Sequence, residues 1–285
     1  MEWKFTEENP LRVVTLCSGY DSQLMAIRNL GIPCECVGWS EIDSYAIRAH
    51  DAVFPELKDR NLGDMTKIDW GAVGDFDLLT YSTPCTDFSN AGKQAGGEEG
   101  SGTRSSILWY TRHAIIEKKP KYLLMENVKA LVSDKFRPLF LKWCDELTSY
   151  GYTNFMQVLN AKDYGIPQNR ERIFVVSIEG DAWFNFPQPR ELTLRLKDVL
   201  EEKVDEKYYL SQDKVDQFIA GLSEEKLKVL EDDDLRIGMC GCKAMSYDEC
   251  RKCKFQNATE QCGRLYDLMQ KAGINPFPSL KLSDE

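Results

Sequence analysis

No stretch of this chain approaches the roughly 18–20 consecutive apolar residues of a membrane-crossing helix, which excludes a helical membrane protein. The start, "MEWKFTEENP", is charged and lacks the apolar core of a secretory signal, so the expected compartment is the cytoplasm. Positive charge is scarce: 36 Lys and Arg stand against 46 Asp and Glu, a formal net charge of −10. Phosphate neutralisation supplies much of the affinity of proteins that hold a nucleic-acid duplex unaided, and this balance argues against tight, unaided binding of that kind. A local basic groove is still compatible with it. Histidine is nearly absent, with only His50 and His113. There is no internal repeat and no long low-complexity segment.

What is present is an ordinary apolar fraction, 42%, on 285 residues, enough for one large domain or one domain with a small appendage. Strand-like apolar runs alternate with amphipathic stretches from residue 11 to about 180. "LRVVTLC", "CECVGWS", "FDLLTYS" and "KYLLMEN" read as four strands, and "FMQVLN" and "RIFVVSI" as two closing ones. Between them, "SQLMAIRNLG" reads as a helix stopped by Gly31 and "DSYAIRAHDAVF" as one capped by Asp43. "SSILWYTRHAIIEKK" reads as a helix ended by Pro120, and "FRPLFLKWCDELTSYG" as one stopping at Gly151. Such alternation predicts an α/β fold, a mostly parallel sheet wrapped by helices on both faces. "RLKDVLEEKVDEKYYLS" and "DKVDQFIAGLSEEKLKVLEDDD" read as charged, solvated helices, followed by an irregular C-terminal appendage. The expected division is residues 1–210 as the main domain and 211–285 as an acidic helical segment with a cysteine-rich tail.

Ligands of such sheets sit beyond the carboxyl ends of the strands, and polar residues converge there. The first strand runs into 17–22, the second into Glu41, the third into Pro84-Cys85 and the fourth into Glu126-Asn127. Each has a plain explanation when taken singly. Cys85 in "LLTYSTPCTDFSNAG" could be a buried core thiol, Glu126 a partner for a helix start, and Glu41 and Asp43 turn and cap residues. Arg170 and Arg172 could be a solvated pair on an edge strand.

Taken together, these residues resemble the cytosine carbon-5 DNA methyltransferases, in several blocks that occur in that family's order over residues 11 to about 210. "TLCSGYDS" resembles the turn that cradles S-adenosylmethionine, which implies cofactor contacts from Cys17, Ser18, Gly19, Tyr20 and Asp21. "WSEID" resembles the block whose carboxylate, here Glu41, binds the ribose hydroxyls beside Ile42. "LGDMT" resembles the block in which Asp64, next to Met65, meets the adenine amino group; Pro84 and Leu108 complete the implied cofactor set. "STPCTDFSNAGK", "LLMENVKAL" and "NAKDYGIPQNRERIFVVSI" resemble the nucleophile, Glu-Asn-Val and arginine blocks. The fold implied is the Rossmann-like one of S-adenosylmethionine-dependent methyltransferases, with its last strand inserted antiparallel.

The chemistry accounts for these residue types. Cytosine carbon 5 is too weak a nucleophile to take a methyl group from a sulfonium, and thiolate attack at carbon 6 makes it an enamine-like one. The resemblance implies Cys85 as that nucleophile, partly exposed and with a lowered pKa. It implies Glu126, kept near neutral by burial, as donor to ring nitrogen 3 and Arg172, with Arg170 nearby, at the exocyclic oxygen. Asn127 would orient the loop around a cytosine flipped from duplex DNA.

Three features depart from the family pattern. Asp21 and Ser22 stand where glycines are usual, and Thr86 follows the nucleophile in place of glutamine. Beyond residue 210 no target-recognition region or closing asparagine motif is legible. The expectation is therefore a catalytic half that needs a second polypeptide for recognition, with a silent decoy or an RNA methyltransferase as alternatives. The tail places Cys240, Cys242, Cys250 and Cys253 at spacings compatible with a four-thiolate zinc site, without a histidine nearby, or with free thiols on a loose terminus.

Overall fold

The computed structural model describes residues 5–85, 87–88 and 95–221. Six strands form one sheet: β1 (Leu11–Leu16), β2 (Cys34–Ser40), β3 (Leu78–Tyr81), β4 (Tyr122–Val128), β5 (Tyr152–Asn160) and β6 (Glu171–Glu179). Their order is β2-β1-β3-β4-β6-β5. β2, β1, β3 and β4 run parallel, and β6 enters antiparallel between β4 and β5, as the resemblance implied.

The two-residue period of the strands sorts the core into two layers. Val14 and Leu16 of β1 point to the larger cluster, with Leu79, Tyr81, Leu123, Met125 and Val175. Helices α3 (Thr111–Lys118) and α4 (Arg137–Ser149) cover that layer through Ala114, Ile115, Leu139, Phe140 and Trp143. Trp143 donates its indole N–H to the Tyr81 hydroxyl at 3.2 Å, so the largest buried ring is also hydrogen-bonded. Cys36 and Trp39 of β2 point the other way and pack with Leu24 of α1 (Ser22–Asn29) and with Phe54 and Leu57 behind α2 (Ser44–Val53). A register shift between Val13 and Val14 lets β2 carry one residue more than β1 and keeps both layers in phase.

Elements largely fall where the sequence places them, with two corrections. The run before α3 winds as a 3-10 helix over Arg104–Tyr110, and the α-helix begins only at Thr111. "RLKDVLEEKVDEKYYLS", expected to be helical, holds only two short 3-10 turns, Leu196–Asp198 and Glu206–Tyr208. Its Leu196, Val199, Leu200 and Val204 are exposed among the described residues, and an amphipathic segment without a buried face gains little from helix formation.

The chain divides into two compact units. One comprises residues 1–164 and 169–191 and contains the sheet, closing at Glu191, ahead of the residue 210 boundary read from the sequence. The other comprises 165–168 and 192–285, and its described part contains α5 (Gln212–Ala220), ended by Gly221. Among the described residues no helix is long and apolar enough to cross a membrane.

Candidate active site

The turn after β1 is the tightest part of the rim. Cys17, Gly19 and Asp21 all have positive φ, at 52°, 60° and 63°. Gly19 has open space around its missing Cβ, so the glycine answers to backbone conformation and not to crowding. Asp21 takes the conformation that glycine would otherwise supply, and its side chain shows how. One carboxylate oxygen accepts the Leu24 N–H at 3.1 Å, capping α1, and the other accepts the Thr15 hydroxyl at 2.7 Å. The side chain is 0% exposed and lies 3.8 Å from the buried His50 Nε2. Asp21, expected at the cofactor, is placed with its side chain inside the turn, where it braces it.

Glu41, at the end of β2, bridges to this turn. Its Oε2 accepts the Gly19 N–H at 3.0 Å, and its Oε1 accepts the N–H groups of Ile42 and Asp43 at 2.8 and 3.0 Å. Asn61 was missed in the sequence. Its amide bonds both the N–H and the C=O of Glu41, at 3.3 and 3.2 Å, and no motif marks it. Asp64 accepts the Thr66 hydroxyl and N–H and pairs with Lys67 at 3.1 Å. Those bonds, the Thr66 hydroxyl first, hold its carboxyl below the usual carboxylate value. Met65 is buried with its sulfur 3.5 Å from the Cys17 sulfur. Burial first, then Glu41 and Asp64, push the Cys17 thiol up to about 12. Ser18 is buried, whereas Tyr20 is exposed and Ile42 is 72% exposed at the mouth of the turn.

Two anchored carboxylates beside an exposed apolar side chain and an open glycine turn fit an adenosyl group: acceptors for a ribose diol and an amino group, and an apolar surface for a ring. Leu108, expected in the cofactor set, is placed in the core cluster and is buried. Pro84 is half-buried in the segment leading to Cys85.

The second half of the rim is built on β3, β4 and β6. Cys85 is a free, half-buried thiol just beyond β3. Buried Asn127 donates its side-chain amide to the Thr83 carbonyl at 3.1 Å, tying the approach to Cys85 to the end of β4. Gln23 donates to the Ser82 hydroxyl at 2.8 Å and links the same approach to α1. Antiparallel pairing sets Glu126 opposite Phe174 and Val128 opposite Arg172, so the start of β6 lies against the end of β4. Arg172 Nε then lies 3.0 Å from Glu126 Oε1, and Arg170 lies 3.7 Å from the same oxygen. Glu126 was expected in burial that keeps it neutral; it is partly exposed and meets two guanidiniums instead.

With the geometry in place, comparison is informative. The family described as C-5 cytosine-specific DNA methylase matches residues 11–264. The chain belongs to this family. The match runs well past residue 210, beyond the blocks legible in the sequence. Enzymes of the C-5 cytosine-specific DNA methylase family depend on S-adenosylmethionine. The type II methyltransferase M2.ScrFI of Lactococcus lactis subsp. cremoris is 39% identical, over 72% of this chain and 71% of its own length. The orphan methyltransferase M.SPRI of Bacillus phage SPR is 36% identical, over 76% of this chain but 56% of its own length. Among solved structures, the Entamoeba histolytica methyltransferase EhMeth shares the fold at a TM-score of 0.61 and 18% identity, covering 72% of this chain and 64% of its own. Spodoptera frugiperda DNMT2 does so at 0.56 and 22%, covering 70% and 62%.

The four tail cysteines, Cys240, Cys242, Cys250 and Cys253, and Thr86 lie outside the described residues. Among the described residues no group of three or more His, Cys, Asp or Glu side chains is placed to hold a metal ion.

Proposed function

We propose that this chain methylates carbon 5 of cytosine in DNA through a transient covalent bond from Cys85. The Cys85 sulfur donates an electron pair to carbon 6, and the ring's C5=C6 electrons become available at carbon 5. Glu126 meets ring nitrogen 3 and supplies the hydrogen bond or proton that stabilises the attacked ring. Arg172 holds Glu126 in place and keeps further N–H groups for the exocyclic oxygen, where charge builds up. Carbon 5 forms its new bond to the methyl group and gives up its proton to water, and the returning C–H electrons restore the C5=C6 bond and expel the Cys85 thiolate. S-adenosylmethionine, when bound, would supply an electrophilic methyl group on a sulfonium sulfur. Glu41 and Asp64 hold its adenosyl part, with Ile42 and Tyr20 against it. The observation that carries this reading is the Glu126–Arg172 pair on the rim where Asn127 ties down the approach to Cys85.

The test is radiolabelled methyl transfer to a cytosine-containing duplex by the wild-type chain and Cys85→Ala. With the second polypeptide proposed below present, transfer by the wild type and none by the variant is expected; transfer by Cys85→Ala would overturn the reading. The formal charge of −10 supports a further proposal, that a second polypeptide supplies most of the grip on DNA. Transfer that appears only when that polypeptide is added would bear it out, and silence on DNA and RNA by a chain that still binds cofactor would favour the decoy. A cytoplasmic site of action accords with both. Zinc at Cys240, Cys242, Cys250 and Cys253 rests on their spacing, and metal analysis of the full chain should then find about one equivalent.

A further inference from the structure

One buried residue outside the blocks named above sends both its hydroxyl and its backbone N–H into the few residues around Cys85. Ser105 is 0% exposed and stands in the 3-10 run Arg104–Tyr110, about twenty residues downstream in sequence. Its hydroxyl donates to the Pro84 carbonyl at 2.6 Å. Its N–H donates to the Asp87 carboxylate at 2.9 Å, and its hydroxyl oxygen accepts the Asp87 N–H at 3.4 Å. The residue before Cys85 and the second residue after it are thus fastened to the same serine.

The surroundings leave this clamp little slack. The Phe88 N–H donates to the Cys85 carbonyl at 3.0 Å, and the Phe88 ring packs edge-on to Phe136 at 5.1 Å between centroids. Gly97 closes over it: a Cβ there would stand 2.6 Å from the Phe88 ring and 3.0 Å from the Ser105 carbonyl. On the upstream side Asn127 already holds Thr83. A nucleophile flanked by fixed peptides on both sides cannot drift along the chain direction. Attack geometry is steep in distance, and a displacement of about 1 Å costs on the order of 10²-fold in rate.

We propose that Ser105, acting with Asp87, is a positioning residue that sets the Cys85 thiol for attack on the base. The inference rests on the reading of Cys85 as nucleophile. Alanine at 105 leaves the Pro84 carbonyl and the Asp87 N–H without their partner. Asparagine at 87 keeps an acceptor for the Ser105 N–H, and alanine there does not.

The experiment follows, in single-turnover mode, covalent trapping on a duplex carrying 5-fluorocytosine, whose fluorine blocks the proton loss that frees the cysteine. It uses the full chain, in the preparation that methylates DNA, with cofactor affinity and thermal midpoint measured in parallel. Ser105→Ala and Asp87→Ala should slow adduct formation about 10- to 100-fold while cofactor affinity stays within about threefold, and Asp87→Asn should stay within a few-fold of wild type. If Ser105→Ala fails to fold, Asp87→Ala decides, because Asp87 is only partly buried. Trapping at the wild-type rate in the alanine variants, or a rate loss matched by an equal loss of cofactor affinity, overturns the proposal. Absence of any adduct with the wild type, with methylation surviving in Cys85→Ala, would bring down the reading of Cys85 and this inference with it.

Discussion

Glu126 shares one carboxylate oxygen between Arg172 at 3.0 Å and Arg170 at 3.7 Å, and the two arginines differ in setting. Arg172 is largely covered and Arg170 is about half exposed, so solvent screens the second pair far more. Glu126→Gln should lower kcat by about 10²- to 10⁴-fold, the usual span for a positioned acid or base, with cofactor affinity unchanged. Arg172→Ala should cost at least as much, since it frees the carboxylate as well as removing the donor, and Arg170→Ala clearly less. Steady-state kinetics on a duplex substrate separates the three, and an Arg170→Ala defect equal to that of Arg172→Ala would contradict the ranking. A different prediction concerns the buried thiols. Burial pushes Cys17, Cys36 and Cys144 from the ordinary 9.0 up to about 12. The unfolded chain loses these protons first as pH rises, so the folded state binds more protons between 9 and 12. Stability is thus full below pH 9 and declines from there toward pH 12, by about 1.4 kcal/mol per pH unit for each thiol. Urea midpoints at pH 8, 9.5 and 10.5 test this, and replacing Cys36 with serine should flatten the decline.

Elements were legible where a period repeated. The apolar runs of β1 and β2, the alternation of β4 and β6, and the caps at Asp43 and Gly151, are local signals that the fold leaves intact. The rim was legible too, because strand ends carry the chemistry of a parallel sheet whatever the packing beneath. Asp21 was not. Its sequence position speaks for a ligand turn, but its direction depends on Thr15 and on the space under α1, neither of which a motif records. Ser105 and Asn61 escaped for the same reason: they act across distant segments on backbone groups, and backbone groups leave no trace in composition. The region after Glu191 misled because charge and apolar spacing imitate a helix when nothing is packed on it. The brace at Asp21 makes a prediction at this scale. Asp21→Ala removes the cap of α1 and a buried acceptor, and should cost about 2 kcal/mol in chemical denaturation. Cofactor affinity should fall as well, since Glu41 is anchored on the turn that Asp21 supports. Asp21→Asn, which retains an acceptor and tolerates positive φ, should recover most of both, and an Asp21→Ala chain as stable as wild type would refute the bracing role.

For the molecule as a whole, charge is the governing quantity. With a formal net charge of −10, the chain alone should bind a duplex no more tightly than the non-specific class, about 10⁻⁴ to 10⁻⁶ M at physiological salt. Fluorescence anisotropy on a labelled duplex measures this, and nanomolar binding by the chain alone would remove the need for a partner. The placement of β6 has a consequence for synthesis. Among the described residues β5 pairs with β6 and with no other strand, and β6 alone joins the pair to β4. The two must dock as a hairpin, after the parallel strands that precede them have left the ribosome. A nascent chain that ends short of β6 already carries the Cys85 segment, Glu126 and the cofactor turn, yet it lacks the guanidinium that meets Glu126. The Glu126–Arg172 pair is therefore assembled in one step, when β6 joins β4.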